Sequence, residues 1–114
     1  SMRKVFSLAV GSRDELPCWF LLDGDCLFVQ IGVDSTILCV AQTPELSSVL
    51  IDHASPVTLH MKIIAQRLSK LCPGKQIFVS TDRVEEENDL FWESISKQLN
   101  QTILKEMNST DLTV

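Results

Sequence analysis

The chain has 114 residues, 45% of them hydrophobic and 22% charged. That is enough apolar side chain for one buried core and too much for a disordered polypeptide. Ten Lys and Arg stand against fifteen Asp and Glu, a formal net charge of -5. The balance argues against nucleic acid or an anionic membrane surface as partner, since both are gripped by clustered cations.

Ser1 ahead of Met2 reads as the remnant of a cleaved tag, and residues 2–107 as a single domain. Val5–Val10 has the apolar run of a first strand, closed by Gly11-Ser12-Arg13-Asp14. Pro17 opens a second, Cys18–Leu22, and Asp23-Gly24 is a two-residue hairpin turn, because both residues tolerate positive φ. The returning strand is Asp25–Val33, Asp34-Ser35 turns the chain again, and Thr36–Ala41 is the next strand. Thr43-Pro44 breaks the pattern; Glu45–Ile51 fits either a short strand or a helical turn. From Val57 the period becomes helical through Met61, Ile64, Leu68 and Leu71, with Ser55-Pro56 as a start and Pro73-Gly74 as a stop. Gln76–Ser80 is a short apolar strand. A long helix follows over Glu85–Met107, acidic in its first turns as the macrodipole favours. Its inward stripe is Phe91, Ile95, Leu99 and Ile103, with Trp92 on the edge. Asn108–Val114 is a polar tail expected to be flexible.

Hairpin-linked strands followed by helices predict an α+β domain: an antiparallel sheet of five to six strands with two helices packed on one face. A sheet with one wet face alternates apolar and polar residues. Here Thr36–Ala41 and Ile77-Phe78-Val79 are apolar on both sides. In the third strand Leu27, Val29, Ile31 and Val33 form one side, and Cys26, Phe28 and Gln30 the other. Two helices cover one face only, so the second is expected to be used for dimerisation, on the side of Cys26, Phe28, Gln30 and Phe78. A Gln suits an interface better than a helix-packed core. The competing expectation is that segments 43–56 and 108–114 fold over that face.

The search for chemistry returns little. The four cysteines, Cys18, Cys26, Cys39 and Cys72, form no C-x-x-C pair and sit at no zinc spacing from His53 or His60, so they read as reduced core residues. No phosphate-binding glycine pattern occurs, and Asp23-Gly24-Asp25 is a turn without the further ligands of a calcium loop. Cys72 lies at the wrong end of its helix to be an activated nucleophile, and His53 and His60 read as a loop and a helix-face residue. The run Glu85-Glu86-Glu87-Asp89 is read as a solvated helix start rather than a docking patch. No catalytic residue, cofactor or metal is assigned, and the chain is expected not to be an enzyme. No leader or membrane-spanning run is visible, which points to the cytoplasm, with the nucleus as a second compartment.

Three blocks carry a resemblance. Asp25-Cys26-Leu27-Phe28-Val29-Gln30-Ile31-Gly32 resembles the D-x-L-F-x-x-x-G strand of the proteasome assembly chaperone 4 family. Ala65-Gln66-Arg67-Leu68 is similar to its A-Q-R-L helix, and Lys75-Gln76-Ile77-Phe78-Val79-Ser80 to its K-Q-x-F-V-S strand. The resemblance implies a non-catalytic chaperone for assembly of the proteasome core particle alpha ring. It would act as a heterodimer with a chaperone-3-type subunit, and as a possible homodimer in isolation. Gln66 and Arg67 would be the polar residues facing the partner or the ring, and Gly32 a close-approach or bulge position. The chain has no tyrosine, so a C-terminal hydrophobic-Tyr-x docking tail is excluded. The alternative that needs only the fold is a roadblock- or longin-like dimeric scaffold for GTPase or trafficking complexes. A small hydrolase or thiol enzyme using Cys72 is the weakest.

Overall fold

The computed structural model describes residues 1–51 and 55–112. In chain order they form β1 (Met2–Val10), β2 (Asp14–Asp23), β3 (Cys26–Ile31), β4 (Ile37–Thr43), β5 (Leu46–Ile51), α1 (Thr58–Leu71), β6 (Gln76–Thr81) and α2 (Asp89–Leu112). One six-stranded sheet runs in the order β1-β2-β3-β6-β4-β5. Residues 45–51, ambiguous in sequence, supply edge strand β5. His53 lies outside the described residues, as do the last two positions of the expected tail.

The sheet is mixed rather than wholly antiparallel. β1, β2 and β3 form a meander and β4 and β5 a hairpin, but β6 enters between β3 and β4, parallel to β3 with Phe28 beside Phe78. The cause is the α1 crossover: parallel strands need such a connection, and α1 carries the chain from β5 back across β4. β1 also begins earlier than predicted, at Met2, because it pairs along its whole length with β2, Met2 with Leu22 through Val10 with Asp14. Pro17 falls inside β2, where its carbonyl accepts a hydrogen bond from Gly32 N–H at 2.8 Å.

Local chemistry sets the helix ends. Ser55 accepts the Val57 N–H at 3.1 Å and its hydroxyl donates to the Val84 carbonyl, which seats the entry of α1 on the loop after β6. The exit follows the stop signal, with Gly74 at φ +82° just beyond Cys72. α2 begins at Asp89 rather than Glu85, because the side chain of Asn88 caps it by accepting the Leu90 N–H at 2.9 Å. The acidic run 85–87 therefore precedes the helix, anchored by the Trp92 indole N–H on the Glu86 carbonyl. At its other end α2 continues through Leu112, into the segment expected to be a tail.

The buried stripe of α2 is Trp92, Ile95, Leu99 and Ile103, so Trp92 and Phe91 exchange their predicted places. A step of three followed by two of four stays close to the 3.6-residue period, whereas the predicted run of three fours from Phe91 drifts further off the face. Phe91 packs edge-on to Trp92 at a centroid distance of 4.9 Å and is only partly buried. The single core joins this stripe and Met61, Ile64, Ala65 and Leu68 of α1 to one face of the sheet, including Leu8, Leu16, Phe20, Leu27, Val29, Ile31, Ile77 and Val79.

Candidate functional site

Both helices pack on the Leu27, Val29 and Ile31 side. With Asp23, Cys26 and Gln76 in a further row beside them, two cross-strand rows form the middle of the other sheet face. One runs Arg3, Leu21, Phe28, Phe78, Val40 and Ser48; the next runs Val5, Trp19, Gln30, Ser80 and Leu38. Phe28 and Phe78 stack at the centre with centroids 4.7 Å apart and planes 10° from parallel. Both rings are half-buried, as are Trp19, Leu21 and Leu38, while Val5 is 68% exposed. The Arg3 guanidinium lies 5.5 Å from the centre of the Trp19 ring. Segment 46–51 extends the sheet edge as β5 and α2 stays on the helix side, so among the described residues neither covers this face, while positions 52–54 and 113–114 of the competing expectation lie outside them.

Three of the predicted interface residues, Cys26, Phe28 and Phe78, lie half-buried on this face. Gln30 shares the face but is 3% exposed, and its amide is used within the chain. Gln30 Nε2 donates to the Asp34 carbonyl at 2.6 Å, Ser35 Oγ donates to Gln30 Oε1 at 2.8 Å, and Ser80 Oγ donates to the same oxygen. Gln30 thus fixes the 32–36 turn over one end of the face rather than offering a free amide. Trp19, Leu21 and Val40 are members that the sequence reading did not single out. The signal was present in part: alternation puts Trp19 and Leu21 on one face, but the loop residues are Gly24-Asp25 rather than Asp23-Gly24, and that sets Asp23 against Cys26, Leu21 against Phe28 and Trp19 against Gln30.

Gln66 and Arg67 lie in the helix layer, on the opposite side of the sheet from Phe28. Gln66 Nε2 donates to Ser47 Oγ at 3.0 Å. Arg67 Nη1 bridges to α2 through Glu93 Oε2 and Ser96 Oγ, each at 3.1 Å. Arg67 lines a groove of about 320 Å³ between the helices, floored by Ile63, Ile64 and Trp92. At its far end His60 Nε2 stands 3.2 Å from Asp89 Oδ1. The sequence blocks thus occupy two surfaces facing opposite ways.

Cys18 and Cys72 are both buried. Burial pushes the Cys18 thiol up to about 11, against a smaller opposing effect of its hydrogen bond with the Gly32 backbone. Burial also raises Cys72, with Lys75 opposing, and the Cys72 sulfur rests 3.5 Å from that of Met107. Both are protonated thiols at neutral pH. Among the described residues no helix is long and apolar enough to cross a membrane.

No protein-family model matches the chain, and no curated protein matches it. The chain is similar in fold to one chain of the crystal structure of a novel chaperone complex for yeast 20S proteasome assembly. The TM-score is 0.50 and the identity 16%, with 99% of this chain and 98% of that one covered. At that identity the likeness is one of fold, and it extends along the whole of both chains.

Proposed function

We propose that this protein is a non-catalytic chaperone of proteasome core particle assembly, and that its uncovered sheet face binds a second small α+β chain of chaperone-3 type. The observation that carries the reading is the Phe28–Phe78 stack, set in a broad apolar face that no helix covers. A lone soluble domain rarely leaves so large an apolar surface in water, and packed aromatic anchors at the centre of a patch are where binding energy concentrates. The full-length likeness to a chain from a yeast assembly-chaperone complex supports it, as do the three sequence blocks.

The opposed surfaces divide the work in this reading. The Cys26, Phe28 and Phe78 face meets the paralogue. The helix layer with Gln66 and Arg67 is left for an alpha-type ring subunit, in the cytoplasm or nucleus, and no cofactor is required. In the absence of the paralogue the same face supports a homodimer, since a two-fold contact sets one patch against its own copy.

The test is capture of the tagged protein from extracts of its own source, with co-purifying chains identified by mass spectrometry. Expected are a second small α+β chain and alpha-type subunits, with little mature core particle. Phe28→Asp should weaken the pair about 30-fold or more, as loss of a central anchor does, while helical circular dichroism is retained. A preparation free of every proteasome subunit would sink the reading, and recovery of a small GTPase instead would favour the scaffold alternative.

A further inference from the structure

The net charge is not spread evenly along the chain. Residues 82–93 hold six carboxylates, Asp82, Glu85, Glu86, Glu87, Asp89 and Glu93, and one cation, Arg83, which together make up the whole formal charge of -5. The rest of the chain balances nine acidic residues against nine basic ones. Asp82 holds the turn after β3, Asp89 stands by His60 and Glu93 by Arg67, while the run 85–87 belongs to the loop that leads into α2.

That loop borders a hollow at the β1 edge, opposite β5 and roughly 33 Å along α2 from Leu112. The hollow has two joined compartments of about 290 and 480 Å³, which share Val10, Gly11 and Phe91. The smaller is walled by Ala9, Leu90 and Ile95, with Asn88 and Ser94 on its polar side. Around the larger stand Asp14, Glu15 and Glu86, with Arg83 as the cation lining it. Leu90, at its mouth, is 79% exposed, more than any other large hydrophobic side chain among the described residues.

The walls are fixed by contacts within the chain. Ala9 N–H donates to Gln98 Oε1 at 2.9 Å, and Gln98 Nε2 donates to the Ala9 carbonyl at 3.0 Å and to Ser94 Oγ at 3.1 Å, so α2 is clamped to the edge strand. Phe91 rests edge-on against Trp92, whose indole N–H holds the Glu86 carbonyl. A single exposed leucine is ordinary, but a leucine at the mouth of a preformed, partly apolar hollow has the form of a binding site, and its rigidity lowers the ordering cost of binding.

We propose that this hollow docks a basic segment of a partner protein. An apolar side chain of that segment enters between Val10, Leu90 and Phe91, and flanking Lys or Arg residues meet Asp14, Glu15 and Glu86. The sign of the occupant follows from the rim, three carboxylates against one Arg, beside the loop in which the net charge is concentrated. Such a field speeds encounter with a basic segment and turns away an acidic one, while the apolar floor supplies the burial that exposed ion pairs alone do not. The hollow lies against α2, on the helix side of the sheet, so the proposal does not rest on the Phe28 face or on what that face binds.

The experiment titrates the isotope-labelled full chain with a synthetic peptide in which lysines flank two leucines. One control peptide has glutamates for the lysines, and another has serines for the leucines. Amide shifts are expected to centre on Val10, Gly11, Leu90 and Phe91, with affinity falling as salt rises and both controls about tenfold weaker or worse. Leu90→Ser and Glu15→Lys should each weaken the first peptide about fivefold or more. Arg83→Glu should tighten it, a gain that misfolding does not imitate. Shifts centred instead on Phe28 and Phe78, equal binding of all three peptides, or no shift at all would overturn the proposal. None of these outcomes decides whether the Phe28 face captures a paralogue.

Discussion

Gly32 shows at the scale of one residue how the end of the sheet is built. Its φ of +95° is a region that L side chains rarely adopt, and an added Cβ would stand 2.1 Å from Asp82 Oδ1. The other carboxylate oxygen, Oδ2, accepts the Val33 and Asp34 N–H groups at 3.2 Å each, so the close approach that the sequence suggested at Gly32 is what lets Asp82 hold the turn after β3. Gly32→Ala should therefore combine backbone strain with loss of charge-assisted hydrogen bonds, destabilising the fold by about 3 kcal/mol. Urea unfolding should show a lowered midpoint at unchanged slope. Gln30 belongs to the same corner, and its position was readable while its role was not. Alternation alone put it on the uncovered face, but its polar partners Asp34, Ser35 and Ser80 come from a turn and a strand whose approach only the folded chain defines.

Among the elements, those with strong local signals were predicted within a residue of where they stand: the hairpin, whose loop is Gly24-Asp25 rather than Asp23-Gly24, α1 with its Pro-Gly stop, and the strand from Gln76, which ends at Thr81 rather than Ser80. The misreadings share a cause, since each depended on a competing local signal or a distant partner. Three consecutive glutamates imitated a helix start, yet Asn88, with a short side chain able to reach the Leu90 N–H, is the cap. The parallel placement of β6 was hidden because no local feature of Gln76–Thr81 states which strands will flank it. Gln98 was invisible for the same reason, being a helix residue whose partner is the backbone of Ala9, far away in sequence. Gln98→Leu should remove both of those hydrogen bonds and cost about 1 kcal/mol, with hydrogen exchange at the Ala9 amide rising more than at its neighbours in β1. Unchanged exchange at Ala9 would mean that α2 does not guard this edge.

For the molecule as a whole, the four free cysteines report which surface a partner covers. Cys18, Cys39 and Cys72 are buried and Cys26 is half-exposed on the uncovered face. A thiol reagent at neutral pH should find one fast-reacting group, with the other three released only on unfolding. A partner seated on the Phe28 face should slow that one group at least tenfold, and an unchanged rate in the complex would move the interface elsewhere. The position of β6 has a further consequence, in the order in which the molecule can fold. β3 and β4 are neighbours in sequence but not in the sheet, where β6 stands between them. During synthesis the first five strands emerge as a three-stranded meander and a separate hairpin, with an empty lane between β3 and β4. Contacts of long sequence separation form late, because closing the intervening loop costs entropy before any pairing rewards it. Until Gln76–Thr81 has left the ribosome, the nascent chain has two unsealed inner strand edges, and that interval is when it is most exposed to mispairing.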